Sequence, residues 1–265
     1  MNVPNLNLCL VPLEIVWNDK KANLEKVADI FKKIHPQTDI VILPETFSTG
    51  FPSGKNKEEV RDLAERNTEE TVDFLKDLSE SYNMAIAGSF IANSGGLLYN
   101  RSFFIEPSGD EYFQEKRHLF PLGGEDKIFS KGEKRLHVRF RGWNIDLVVC
   151  YDLRFPVWCR NRNNEYDLLI AIANWPVSRI AIWEKLLCAR AIENISYVCG
   201  VNCRGIDSTG IDYDGTSFVF DYKGHDKTVR ISEEGLMYAS VSMEKLIKFR
   251  ESFPAWKDAD DFNLS

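Results

Sequence analysis

The sequence predicts mixed α/β layers, on three observations. Short β-rich runs alternate with amphipathic stretches along most of the 265 residues, the pattern of βα units. Several of the β runs are apolar without alternation, as strands covered on both faces are. Turn-rich segments between paired β runs add hairpins, so the sheets are expected to be mixed. No internal repeat, low-complexity linker or composition shift marks a boundary, and one domain over residues 1–265 is expected.

From the N-terminus, Asn5 to Pro12 reads as a strand. Lys21 to Ile34 reads as a helix with Leu24, Val27, Ile30 and Phe31 on one face, and Asp39 to Leu43 as a buried strand closed by Pro44. After a loop holding Gly50, Pro52 and Gly54, helical spacing of Val60, Leu63, Ala64, Val72, Leu75 and Leu78 predicts one helical stretch over 57–82. Met84 to Ile91 is the next strand. Leu97 to Gln114 reads as a hairpin about Pro107-Ser108-Gly109-Asp110. Leu136 to Phe140 and Ile145 to Cys150 are two strands flanking Arg141-Gly142-Trp143-Asn144, with a helix expected from Phe155. The strand Asp167 to Ala173 precedes a helix from about Ser178, its N-cap, to Asn194. Tyr197 to Asn202, a hairpin of Thr216 to Tyr222 with Thr228 to Ser232, and Leu236 to Val241 complete the strands.

Composition narrows the function classes. With 44% apolar, 12% aromatic and 28% charged residues, the chain is globular in type rather than disordered. Its 33 Lys and Arg against 40 Asp and Glu give a net charge of −7, which disfavours nucleic acid as a general partner. The opening MNVPNLNLCLVPLEIVW lacks a positive n-region and is interrupted by Pro4, Pro12 and Glu14, so a strand is expected there and not an export signal. Apolar runs such as Leu168 to Ala173 fall far short of the ~18 residues that span a bilayer, and no membrane association is expected. Five of the six cysteines (Cys9, Cys159, Cys188, Cys199, Cys203) sit in or beside apolar runs as reduced thiols would, which suits a cytoplasmic location.

No metal and no cofactor are expected. His35, His118, His137 and His225 are scattered, without ligand spacing. Cys199 and Cys203 on a strand would stand ~13 Å apart, beyond disulfide reach. No glycine-rich nucleotide motif occurs.

Cys150 differs from its companions. It ends an apolar strand and precedes the polar turn Tyr151-Asp152-Leu153-Arg154, at the sheet rim where ligands gather and where nearby cations lower a thiol pKa. It is a candidate nucleophile, or a buried structural thiol. Glu45, directly after a strand and Pro44, either caps the next segment or points into a site. Lys116, closing a hairpin strand, reads alone as a solvated charge.

Together the runs LPETFSTGF, EKRHLF and VVCYDLRFP resemble the nitrilase superfamily of carbon-nitrogen hydrolases, whose signature is a Glu, Lys and Cys triad in those contexts. The resemblance covers nearly the whole chain. The runs AGSF, RGWNIDLVVCYDLRFPVWCRN, IANWPVSR, ARAIEN and ESFPAWKDADDF are similar to the omega-amidase branch, which acts on 2-oxoglutaramate and related dicarboxylic acid monoamides such as 2-oxosuccinamate and succinamate. The resemblance implies a four-layer α-β-β-α sandwich, a thioester on Cys150, Glu45 as general base, and Lys116 with the Tyr151 N–H as oxyanion donors. It implies a second glutamate, matched by Glu125 in LGGEDKIFS, orienting Lys116 or the substrate. It also implies a homodimer or higher homo-oligomer, for which the 178–194 helix is apolar enough.

The substrate's free carboxylate calls for a guanidinium. Arg179 and Arg154 are the candidates, with a structural ion pair the expected role of Arg154. Phe47 and Trp175 either wall the pocket or belong to the core. Three alternatives stay open: another amidase, carbamoylase or nitrilase of the superfamily, a Cys-His hydrolase with His118 or His137 as base, and a non-catalytic binding protein on this fold.

Overall fold

The structure is a computed structural model, and it describes residues 3–67, 69–230 and 235–263. The strands are β1 (Leu6–Leu10), β2 (Ile40–Ile42), β3 (Ala85–Ser94), β4 (Leu97–Ile105), β5 (Glu111–Glu115), β6 (His137–Phe140), β7 (Trp143–Val149), β8 (Leu168–Ala173), β9 (Tyr197–Asn202), β10 (Arg204–Ile206), β11 (Asp212–Asp214), β12 (Phe218–Phe220), β13 (Val229–Arg230) and β14 (Met237–Val241). The helices are α1 (Lys20–Phe31), α2 (Lys57–Arg61), α3 (Glu70–Tyr82), α4 (Glu125–Ile128), α5 (Ile180–Asn194) and α6 (Met243–Ser252).

Two mixed sheets form the centre. One has seven strands in the order β13-β14-β1-β2-β3-β4-β5, the other five in the order β12-β9-β8-β7-β6, and β10 and β11 form a separate ribbon. The strand residues explain why both sheets are sandwiched. In β1 and β2, Leu6, Leu8, Leu10, Ile40 and Ile42 share one core with Ile145, Leu147, Leu168, Ile170 and Ile172 of the second sheet. The intervening residues Cys9, Val41 and Leu43 pack instead on Leu24, Val27 and Phe31 of α1 and Val72 and Leu75 of α3. Likewise Val148, Leu169, Ala171 and Val198 face Trp183, Leu187 and Ala191 of α5. Strands apolar on both faces thus yield helix, sheet, sheet, helix, the expected four layers. α5 lies so close to β9 that a Cβ on Gly200 would stand 2.3 Å from Leu187 and 2.8 Å from Trp183, so a larger residue there would displace those side chains. Among the described residues no helix is long and apolar enough to cross a membrane.

Four local expectations are corrected. The helical stretch over 57–82 is two helices, because Glu65 leaves the helix to pair with β3: its N–H donates to Ile91 O (3.0 Å) and its carbonyl accepts from Asn93 N–H (2.8 Å). Thr68, in the same stretch, lies outside the described residues. No helix starts at Phe155; Pro156 favours an extended residue before it, and Phe155 has φ −105° and ψ 96°. The long helix begins at Ile180 after a 3₁₀ turn over Val177–Arg179, and Ser178 does not cap it. The hairpin of 216–222 with 228–232 is shortened to its turn, where Phe220 and Asp226 form an isolated antiparallel bridge and the Lys227 N–H donates to Val219 O (2.7 Å). β12 pairs with β9 in one sheet and β13 with β14 in the other, while residues 231 and 232 lie outside the described residues.

The C-terminal helix α6 is tied to the five-stranded sheet through Arg250. Its guanidinium donates to Asp167 Oδ1 (2.6 Å), Ile195 O (2.9 Å) and Tyr166 O (2.8 Å). Breaking a buried pair leaves the remaining charge uncompensated, so Arg250→Met is expected to lower the unfolding free energy by about 3 kcal/mol in urea titrations. A loss below about 1 kcal/mol would mean that the apolar contacts of α6 hold it without the arginine.

Candidate active site

Four residues of the site follow the ends of strands, while Glu125 opens α4. Glu45 follows β2, Lys116 follows β5, Cys150 follows β7 and Asn174 follows β8. Because β7 and β8 run parallel, Cys150 and Asn174 emerge from the same edge of one sheet. Lys116 extends the ladder of β5, its N–H donating to Asn100 O (2.9 Å). Two residues at these turns have left-handed backbones, Thr46 with φ 45° and Cys150 with φ 46°. Such conformations are sparsely populated for residues with a Cβ and persist only where neighbours hold them. Thr46 is held by its N–H, which donates to Ser89 Oγ (2.8 Å).

Lys116 is no solvated charge. It is 1% exposed, between Glu45 (1%) and Glu125 (0%). Its ammonium donates to Glu45 Oε1 at 2.9 Å and to Glu125 Oε1 and Oε2 at 3.0 and 2.8 Å. Burial disfavours the ammonium most strongly, but the two carboxylates outweigh it and hold the lysine pKa well above its usual value. Burial raises the pKa of Glu125, helped by the Glu45 charge and opposed by Lys116. Glu125 also accepts the Phe120 N–H at Oε2 (2.7 Å), which fixes the short helix that carries it. Glu125 thus meets the Lys116 ammonium with both of its carboxylate oxygens.

Cys150 is half-buried, with Glu45 and Lys116 beside its thiol. Burial, reinforced by the Glu45 charge and only partly offset by Lys116, holds the thiol pKa well above that of free cysteine, so the resting group is a neutral thiol. The turn bearing it is braced by Asp152, which is fully buried. Asp152 Oδ2 accepts the Val149 N–H (3.1 Å), and Oδ1 accepts the His118 N–H (2.8 Å) and contacts His118 Nδ1 (2.8 Å). Asp152 therefore joins the turn of Cys150 to the segment two residues past Lys116.

Glu45, Lys116 and Cys150 line one cavity of about 340 Å³. Tyr151, Trp175, Arg154 and Arg179 line it too, with the Arg154 guanidinium over the Trp175 ring (5.0 Å) and that of Arg179 over Phe120 (5.6 Å). The ion pair expected for Arg154 is not formed among the described residues; its charge sits on an aromatic face at the cavity wall. Phe47 is core, fully buried and edge-on to Phe103, and walls nothing. His118 and His137 do not line the cavity; His118 stacks on Phe155 and His137 pairs with Asp146. Sequence reasoning missed Asn100, Asp152 and Asn174, whose N–H donates to Glu45 Oε2 (2.8 Å). A polar residue inside an aromatic strand was the available signal for Asn100.

Comparison with known proteins agrees with this geometry. The family model for carbon-nitrogen hydrolases matches residues 8–251. Omega-amidase YafV of Escherichia coli (strain K12) is 39% identical over 99% of this chain and 100% of its own length. A 2-oxoglutaramate amidase of Bacillus subtilis (strain 168) is 29% identical over 92% of this chain and 94% of its own. The solved structure of a Xanthomonas campestris CN-hydrolase superfamily protein with an arsenic adduct in its active site superposes with a TM-score of 0.93 at 36% identity, over 99% of this chain and 100% of that one. The chain belongs to the carbon-nitrogen hydrolase family and is a hydrolase of carbon–nitrogen bonds.

Proposed function

We propose that the chain is an omega-amidase, hydrolysing the terminal amide of 2-oxoglutaramate and related dicarboxylic acid monoamides to the dicarboxylate and ammonia through a thioester on Cys150. The observation that carries this reading is a single cavity lined both by the Glu45, Lys116 and Cys150 cluster and by two arginines without a carboxylate partner among the described residues. One end is equipped for amide chemistry, the other for an anion. The omega-amidase and 2-oxoglutaramate amidase relatives point the same way. Exposed Ile182 and Ile192 on α5 suit pairing of subunits through that helix, and six free thiols suit a reducing cytoplasm.

An amide resists attack because its carbonyl is weakly electrophilic and its nitrogen leaves poorly. A neutral thiol needs a base, and Glu45 takes the Cys150 proton as sulfur bonds to the amide carbon and the carbonyl π pair moves to oxygen. The Lys116 ammonium and the Tyr151 N–H stabilise that oxyanion. Held protonated by its carboxylates, Lys116 acts as a fixed charge and donates no proton. Collapse of the intermediate breaks the C–N bond, the nitrogen receiving the proton from Glu45 and leaving as ammonia. Water, deprotonated by the same carboxylate, then attacks the thioester; the C–S bond breaks and the thiol is restored.

Mass spectrometry of a quenched reaction is expected to show the acyl adduct on Cys150, and Cys150→Ala to abolish turnover. An adduct on Cys159, whose burial pushes its thiol up to about 12, would overturn the mechanism.

Lys116→Met is expected to lower kcat by about 10²-fold, the scale of a lost oxyanion donor. A normal kcat with only a raised KM would make Lys116 a binding residue.

Arg179→Met is expected to reduce kcat/KM for 2-oxoglutaramate at least about tenfold, since an anion left without its cation in a closed pocket is costly. An uncharged amide of similar size should be hydrolysed equally by variant and parent. Equal loss on both substrates would assign Arg179 to the scaffold.

A further inference from the structure

Asn100 lies on β4, fully buried, in the run LLYNRSFFI where its neighbours are mostly apolar or aromatic. Its amide nitrogen donates to Glu45 Oε1 (2.8 Å) and to Glu125 Oε1 (3.3 Å). The opposite amide orientation would place its oxygen against two carboxylates, so the donor must face them. Its Oδ1 is left without a hydrogen-bond partner among the described residues. A buried amide that leaves its own acceptor unpaired has its orientation set by what it donates to, here the two carboxylates.

The two oxygens of Glu45 differ in the lone pairs they have left. Oε1 accepts from Lys116 Nζ (2.9 Å) and from Asn100 Nδ2 (2.8 Å), which uses both of its lone pairs. Oε2 accepts one bond, from the Asn174 N–H (2.8 Å), and keeps one lone pair open. We infer that Asn100 is a positioning residue for the base: it closes Oε1 of Glu45, so that the proton leaving Cys150 Sγ is received on Oε2 and is returned from Oε2 to the departing nitrogen. This rests on the assignment of Glu45 as base. In the same stroke Asn100 keeps the carboxylates of Glu45 and Glu125 side by side around one ammonium, adding a neutral donor where a second cation would quench the base.

Donors to a carboxylate favour its charged form, and Asn100 donates to both carboxylates of the site. The charged and titratable groups facing Glu45 are Lys116 at the end of β5, Glu125 on α4, Cys150 at the end of β7 and Cys203 just after β9. Replacing Asn100 by an uncharged residue alters none of those charges.

The test is the pH profile of kcat/KM for 2-oxoglutaramate in the parent, in Asn100→Leu, which keeps the branched shape without the donor, and in the smaller Asn100→Ala. Thermal unfolding identifies which variant is folded, and either one carries the readout. The acid limb is expected to move to higher pH by roughly one unit, with the plateau lowered about tenfold. An unmoved acid limb, even beside a lowered plateau, would reduce Asn100 to packing and overturn the inference. Glu45→Gln separates the two levels. Full turnover in that variant would remove Glu45 as base and this inference with it; an inactive Glu45→Gln beside an unmoved limb in the Asn100 variants would overturn the role of Asn100 alone.

Discussion

The buried ammonium of Lys116 between the carboxylates of Glu45 and Glu125 is the constraint on which the rest of the site depends. Three charged groups at 1% exposure or less are tolerated only where partners meet them in hydrogen-bonding geometry, because desolvating each ion costs several kcal/mol. Those partners come from β2, β5 and the short helix α4, so these segments must converge for any of them to be stable. The cluster carries more carboxylate than ammonium. The Cys150 thiol lies beside this cluster, in the field of Glu45 and Lys116.

The scaffold delivers this convergence through sheet edges rather than long loops. β7 and β8 are parallel neighbours, so Cys150 and Asn174 emerge together, and the seven-stranded sheet brings Glu45 and Lys116 to face them. Left-handed backbones at Thr46 and Cys150 cost of order 1–3 kcal/mol each and need external support. Ser89 supplies it for the first, and Asp152, bonded to Val149 and His118, for the second. Rigid strands and braced turns leave little freedom to the side chains of Glu45, Lys116 and Cys150.

Much of this is legible in the sequence, for identifiable reasons. Apolar β runs without alternation specify strands buried on both faces, and β1, β2, β8 and β9 fall where that pattern puts them. Glu45 and Cys150 stand out as polar groups directly after such runs. Lys116 does not: a charge at the end of a hairpin strand has the same local signature whether solvated or sealed, and only the resemblance singles it out. The misplaced elements fail where tertiary pairing overrides local pattern. Glu65 abandons a helical register to bond β3, and β12 and β13 separate because each finds a partner in a different sheet. Phe47 and Arg154 depart from expectation for the converse reason, since side-chain direction after a strand end depends on neighbours distant in sequence. The bracing contacts of Asn100 and Asp152 lie beyond reach of local pattern altogether, being bonds across 55 and 34 residues.

The most direct measurement is ammonia release by the purified chain across 2-oxoglutaramate, succinamate, glutamine, a nitrile and a carbamoyl amine at equal concentration. A cavity that joins amide chemistry to unpaired guanidinium groups should give the highest kcat/KM for 2-oxoglutaramate, with succinamate next and the nitrile and carbamoyl amine near background. A preference for the nitrile or the carbamoyl amine would contradict the omega-amidase assignment while leaving the carbon-nitrogen hydrolase family intact.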